Sequence, residues 1–380
     1  MTEAPPSVKR AASQSLGALF YGAGIFVLAG FVLWIGQPVL IPLVIAAFLS
    51  FLIVSVKRQI GSLPGIGRVL PESVHFTLAF GVIVMVLFVL AAIIRNNIGS
   101  VVEAAPGYNE RLQEIGTGLS AYALDLPFVG DDLRETIDNL QINTLNIVQT
   151  TLGNIASIAS GLIGSLVTVL LYTAFMLVER GQFMKKVARI ADLRGASAVV
   201  DDVIDDISHL VQQYISVKTF TSLMVAGISW ALMQVLGIDF AGFWALLIFG
   251  LNFIPIIGSI IGVMLPTALS LVQPEGGFGL FFLTLGLLTG AQQVVGSIIE
   301  PRLMGSSLNL SPLIILLSLA TWGALWGIAG MLLCVPMTVA IMIVLAQFKA
   351  TQPVAILLSD NGEVGPLETP RSAVADAAHA

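Results

Sequence analysis

Long apolar runs alternate with polar segments along this chain. The runs fall at about 16–35, 38–56, 74–94, 155–178, 216–236, 241–272, 278–298 and 312–347. A helix that crosses the hydrocarbon core needs roughly 20 mostly apolar residues. The pattern therefore predicts an all-α membrane protein with about eight transmembrane helices. Two runs are too long for one straight helix. The first, 241–272, contains Asn252-Phe253-Ile254-Pro255 followed by Gly258 and Gly262; the second, 312–347, contains Gly323, Gly327, Gly330 and Pro336. Both are expected to be interrupted or re-entrant. The run at 16–35 follows Lys9 and Arg10, but it is too long for a signal h-region and reads as a retained first helix.

The polar segments divide the rest. Residues 1–15 form an N-terminal cytoplasmic segment, 16–95 the first three transmembrane helices, and 96–154 an extracytoplasmic segment. In that segment Leu133, Ile137 and Leu140 recur at helical spacing, which predicts amphipathic helices. The fourth transmembrane helix covers 155–178. In the cytoplasmic segment 179–215, Val199, Val203, Ile207, Leu210 and Tyr214 mark one helical face. Asp201, Asp202, Asp205 and Asp206 oppose them, which predicts an amphipathic helix running into the fifth span. Residues 216–348 hold the core with the interrupted helices. The tail 349–380, rich in Pro, Ala, Ser and acids, is expected to be disordered.

Composition supports the membrane reading. Of 380 residues, 56% are hydrophobic and 11% charged, and the mean hydropathy is +0.94. Soluble domains carry about 25% charged residues, because a water-exposed surface needs polar cover. The formal net charge of −6 says less than its distribution. With the N-terminus inside, Arg95, Arg111, Arg134 and Arg302 fall outside and every other Lys and Arg of the 17 falls inside. That bias predicts N-in and C-in.

The chemistry-bearing motifs are few. Cys334 is the one cysteine, so neither an intramolecular disulfide nor a thiolate-rich metal site can form. His75, His209 and His379 are scattered and make poor metal-cluster material. No GxxxxGK[ST] run is present to drive an ATP motor, and no HExxH or GxSxG run to hydrolyse a substrate. These absences point away from an enzyme and imply no cofactor. The expected partners are the lipid bilayer and a small solute, with no nucleic acid.

Polar and helix-breaking residues inside the spans are the candidate site. Pro255 removes a backbone donor beside Asn252, with Gly258 one turn on. In lipid such a break is tolerated where protein or water lines the gap, and discontinuous helices build transporter sites this way. A kink used only for packing is the bland alternative. Gln292 and Gln293 lie in the seventh span, about 100° apart on a helix, so at most one faces a pathway. Glu300 falls near the outer boundary in this scheme, where it could pair with Arg302. Ser311 and Pro312 open the last run. There, Trp322-Gly323 and Trp326-Gly327 have the spacing of close helix packing. Lys218 starts the fifth span on the cytoplasmic side, where snorkelling to the interface explains it without a function.

At these residues the sequence resembles the autoinducer-2 exporter family, the PerM-type bacterial permeases, over roughly 15–350. The resemblance rests on Tyr214, Lys218, Gly237, Ala245, the Asn252–Pro255 run and Gly258. It continues in Glu300-Pro301-Arg302-Leu303-Met304-Gly305, in Leu310-Ser311-Pro312-Leu313, and in Trp322-Gly323, Trp326-Gly327, Gly330 and Pro336. It implies a multi-pass transporter of the bacterial inner membrane and a homo-oligomer, with a pentamer as the expected size. It also implies export of the quorum-sensing signal autoinducer-2 or another small polar solute. The alternative it carries is a sodium or lithium/proton antiporter. The first function would use uncharged amides at the break. The second needs a titrating carboxylate, and Glu300 is its best candidate. A non-transport scaffold that binds a partner through 96–154 would leave the polar residues at the breaks without a use.

Overall fold

The computed structural model describes residues 22, 24–25, 27–62, 71, 74–89, 91–93, 107–108, 111, 114, 117, 164–190, 192–193, 197–305 and 309–363. Among them helices dominate, and the one β-type contact is an isolated bridge between Leu310 and Ser359. Helical residues 27–35 meet α1 (Gln37–Ser62) at a turn on Gly36. α2 (Val74–Ile93) and α3 (Gly164–Ile190) follow, both long and apolar enough to cross a bilayer. α4 (Ser197–Val235) is the longest helix among the described residues, at 39 residues. It joins the amphipathic face around Leu210 and Tyr214 directly to the fifth apolar run. The helices expected around Leu133–Leu140 lie outside the described residues.

The run 241–272 is a hairpin of two short helices. α5 (Ala241–Leu251) is 11 residues long, or about 16 Å, roughly half a bilayer core. Residues 252–256 reverse the chain, and α6 (Ile257–Val272) returns beside α5. Pro255 cannot donate a backbone hydrogen bond, and Ile256 sits at φ 61°, a conformation that β-branched residues rarely adopt. The returning helix comes so close that a Cβ on Gly258 would stand 1.7 Å from the Leu251 carbonyl oxygen. Only glycine fits there.

The run 312–347 folds back in the same manner. α9 (Pro312–Ala346) carries a non-helical residue, Gly327, at φ 60° and ψ −139°. Ser318 and Thr338 would be about 30 Å apart in a straight helix, yet their hydroxyl oxygens are 2.9 Å apart. The Trp322 indole donates to Thr338 Oγ1 at 3.3 Å. A Cβ on Gly330 would meet the Trp322 carbonyl oxygen at 1.9 Å, the counterpart of Gly258 in the first hairpin. Both over-long runs are therefore re-entrant hairpins crossed at a glycine.

The hairpins open toward opposite ends of the bundle. The first has its base at Gly237 and Gln273, next to the end of α4. The second has its base at Leu310 and Ser359. Its tip is clasped by the 33–37 turn: Trp326 Nε1 donates to the Leu33 carbonyl at 3.0 Å, and Gln37 donates to the Leu325 carbonyl. Ser55 of α1 meets Ser216 of α4 at 2.9 Å, so that clasp lies about 27 Å along α1 from the level of Ser216. Ile254, at the first tip, shares a core with Tyr214 and Ile215 of α4 and with Leu319, Trp322 and Val339 of the second hairpin.

Between the hairpins run α7 (Phe278–Val294), a π-helical turn (Val295–Ile299) and α8 (Glu300–Met304). α4, α5, α6 and α7 close into a ring, each packed on the next and α7 back on α4. The tail departs from the disorder expected for 349–380. Its first part forms α10 (Gln352–Leu358), which packs on α9, with Ala355 fully buried. The periodicity of Val354, Ala355 and Leu358 was masked by the Pro-rich, acidic composition that follows it.

Candidate functional site

Polar side chains from the first hairpin tip, α7 and α8 face one stretch of α4. Lys218, Thr221 and Ser222 lie on one face of that helix, three and four residues apart. All three are buried, Thr221 and Ser222 completely. His75, Thr173, Ser229 and Thr284 aside, the buried polar groups of the long helices gather here or at the hairpins.

Asn252, at the tip of the first hairpin, bridges two helices. Its Nδ2 donates to Ser222 Oγ at 2.9 Å, and its Oδ1 accepts from Gln292 Nε2 at 2.9 Å. One turn toward the start of α4, Lys218 Nζ stands 2.7 Å from Glu300 Oε1. The Thr221 hydroxyl reaches the other carboxylate oxygen, Oε2, at 3.2 Å. Both oxygens of Glu300 are thus engaged by α4. The pair's side chains are only 10% and 18% exposed, so solvent screens it little. The site carries no net charge: one ammonium, one carboxylate and two amides.

The π turn sets this geometry. Gln292 and Glu300 are eight residues apart, which in an uninterrupted α-helix puts them about 80° apart around the axis. One extra residue in the turn removes about 100°, leaving them about 20° apart. Both then face α4 and the hairpin tip. The glutamine pair diverges as neighbours on any α-helix do. Gln292 points inward, while Gln293 is exposed and accepts from Ser297 Oγ at 3.2 Å.

The candidates from sequence divide accordingly. Asn252, Gln292, Glu300 and Lys218 come together; Pro255 and Gly258 shape the tip that presents Asn252. Gln293 and Arg302 are exposed and stand apart. Ser311 and Pro312 lie at the base of the second hairpin, where the Ser311 N–H bonds the Leu358 carbonyl at 3.2 Å. They begin α9 and take no part in the network. One expectation is overturned: Glu300 was placed near the outer boundary, across the bilayer from Lys218 and beside Arg302. The first hairpin returns to the end it left, so α7 runs back toward Lys218 and carries Glu300 with it. Thr221 and Ser222 were not singled out from the sequence. Their signal was a hydroxyl pair one turn after a lysine, on the face of α4 that Tyr214 and Lys218 already marked.

A second polar cluster lies at the base of the first hairpin. Gln273 Nε2 donates to the Gly237 carbonyl at 2.9 Å, and its Oε1 accepts from the Asp239 N–H at 3.2 Å. The Tyr108 hydroxyl donates to Asp239 Oδ2 at 2.9 Å. Burial, then the hydrogen bond and charge of Asp239, push the Tyr108 phenol above its ordinary range. Among the described residues no group of His, Cys, Asp and Glu could hold a metal ion.

The sequence model for AI-2E family transporters matches residues 24–350. The AI-2 transport protein TqsA of Escherichia coli (strain K12) is 33% identical over 330 residues, covering 85% of this chain and 90% of that protein. A Haemophilus influenzae protein named "Putative transport protein" is 30% identical over 349 residues, covering 89% of this chain and 94% of its own. Matches of this extent span both hairpins and every residue of the Lys218–Asn252–Gln292–Glu300 network. The chain belongs to the AI-2E transporter family and is a multi-pass membrane transporter.

Proposed function

We propose that the protein is a permease of the bacterial inner membrane that exports a small, neutral, polar organic solute of the autoinducer-2 kind. The observation that carries this reading is Asn252, held at a broken helix tip between Ser222 and Gln292. Amide and hydroxyl groups can exchange hydrogen bonds with each other for hydrogen bonds with a polyol at small net cost. They need no counter-charge when the solute leaves. The name of the TqsA relative, an AI-2 transport protein, points to the same solute class. The opposed hairpins suit an inverted pair of elements that exposes the site to one side and then the other. Homo-oligomers, with a pentamer as the expected size, complete the proposal.

The antiporter alternative rested on a carboxylate free to exchange a cation for a proton. Glu300 lies in the interior, as that reading required, but its two oxygens are held by Lys218 and Thr221. A cation could bind only after the ammonium moved away, so the geometry favours the neutral solute. Counterflow of labelled autoinducer-2 in proteoliposomes tests the proposal. Wild type should exchange label without an imposed proton or sodium gradient, and Asn252→Ala should lose at least tenfold in rate. Exchange that is unchanged in Asn252→Ala would reject the hairpin tip as the site.

A further inference from the structure

On three helices of the α4–α7 ring, three buried side chains find no hydrogen-bond partner in the protein: Trp244 Nε1 on α5, Thr267 Oγ1 on α6 and Thr284 Oγ1 on α7. Both threonines are fully buried and Trp244 is 5% exposed. They come from three different helices and all lie within about 9 Å of one end of the bundle. Thr267 lies five residues before the end of α6, and Thr284 six residues after the start of α7. Both are therefore about 8–9 Å from the same end of the bundle. Trp244 is three residues into α5, about 5 Å from that end.

The surroundings make these groups unusual. The same ring interior is otherwise walled by Val225, Met233, Ile248, Val263, Leu288 and Val295. Unpaired hydroxyl and indole groups are costly in such a wall, whereas a valine in place of threonine would fit the same space without that cost. Thr284 lies about 12 Å along α7 from Gln292, toward the Gln273–Asp239 end.

We propose that Trp244, Thr267 and Thr284 form a second binding station, for the oxygen atoms of a neutral hydroxylated solute, between the Asn252–Gln292 site and the Gln273–Asp239 end. The inference rests on the permease reading and names a further step of the same path. The chemistry of the groups sets the class. An indole N–H only donates, and the hydroxyls donate or accept. No charged side chain is buried on α5, α6 or α7 among the described residues, so an ion would find no counter-charge. A ligand rich in oxygen acceptors, with hydroxyls of its own, satisfies all three groups.

The test uses the full-length protein with Thr267→Val, Thr284→Val and the double variant, and Thr284→Ser as the control that keeps the hydroxyl. Melting temperature is read with and without autoinducer-2, alongside the half-saturation of counterflow. The proposal expects wild type and Thr284→Ser to melt higher with autoinducer-2. Each valine should remove most of that rise and raise half-saturation about threefold to tenfold, the loss of one ordinary hydrogen bond. Valine variants that melt higher than wild type and keep its half-saturation would show a dry, unused interior and overturn it. Valine variants that melt lower, with the ligand-induced rise and half-saturation intact, would leave water as the occupant and overturn the solute assignment. Failure of the permease reading is seen separately, as absence of counterflow and of any ligand-induced rise in wild type.

Discussion

Removing one member of the Lys218–Glu300 pair should damage the protein far more than removing both. The two groups are 2.7 Å apart, with side chains 10% and 18% exposed. Neutralising one partner leaves the other charge in a site that water barely reaches. Buried pairs broken in this way cost about 3–5 kcal/mol, whereas replacing both with uncharged residues of similar volume is often close to neutral. Thr221 still bonds the carboxylate in Lys218→Met, so that variant belongs at the lower end of the range. Glu300→Gln keeps shape and a hydrogen-bond acceptor but strands the ammonium, so it belongs near the middle, about 4 kcal/mol. The double variant Lys218→Met/Glu300→Gln should fall within about 1 kcal/mol of wild type, which implies a coupling energy of several kcal/mol. Denaturant unfolding of all four proteins in one detergent, followed by circular dichroism, measures this. Single variants costing under about 1 kcal/mol would show that the pair is solvated. Additive single and double variants would show that the two charges do not depend on each other. Either result would refute the picture of a charge-balanced interior.

Three further outcomes follow from the geometry. Gly258→Ala and Gly330→Ala force a methyl group to within 1.7 Å and 1.9 Å of backbone carbonyl oxygens, so each hairpin must open. Losses of at least about 3 kcal/mol are expected in the same unfolding assay, while Gly242→Ala, with nothing within 4 Å, should be nearly silent. Deleting Gly296 should convert the π turn to α-helix and leave Glu300 within about 20° of Gln292, because seven α-helical residues turn through the same angle as eight across the π turn. Chemical cross-linking between cysteines at 218 and 300 should then persist, and its loss would refute the register argument. The Tyr108 phenol titrates above its unfolded value, so its contribution to stability is complete below about pH 10 and is lost as pH rises through the folded value. Wild type should therefore lose melting temperature above pH 10 more steeply than Tyr108→Phe.

The sequence determined the solvent of this protein and where its chain must break. Run lengths and the scarcity of charge specify helices in lipid, because only lipid accommodates so much apolar surface. Asn252-Phe253-Ile254-Pro255 and the glycines of 312–347 mark the interruptions, because proline and left-handed glycine disrupt a helix wherever they are placed. Asn252, Gln292 and Lys218 were legible for a related reason: polar groups are costly in an apolar run. Only the tertiary structure decided whether each break was a kink or a reversal. That depends on whether the returning arm can pack, which is settled by contacts such as Gly258 against Leu251 and Ser318 against Thr338. The reversal in turn carried Glu300 from the expected outer boundary to Lys218. Its rotation toward Gln292 came from one residue of π helix, which the periodicity of an almost uniformly apolar run cannot reveal.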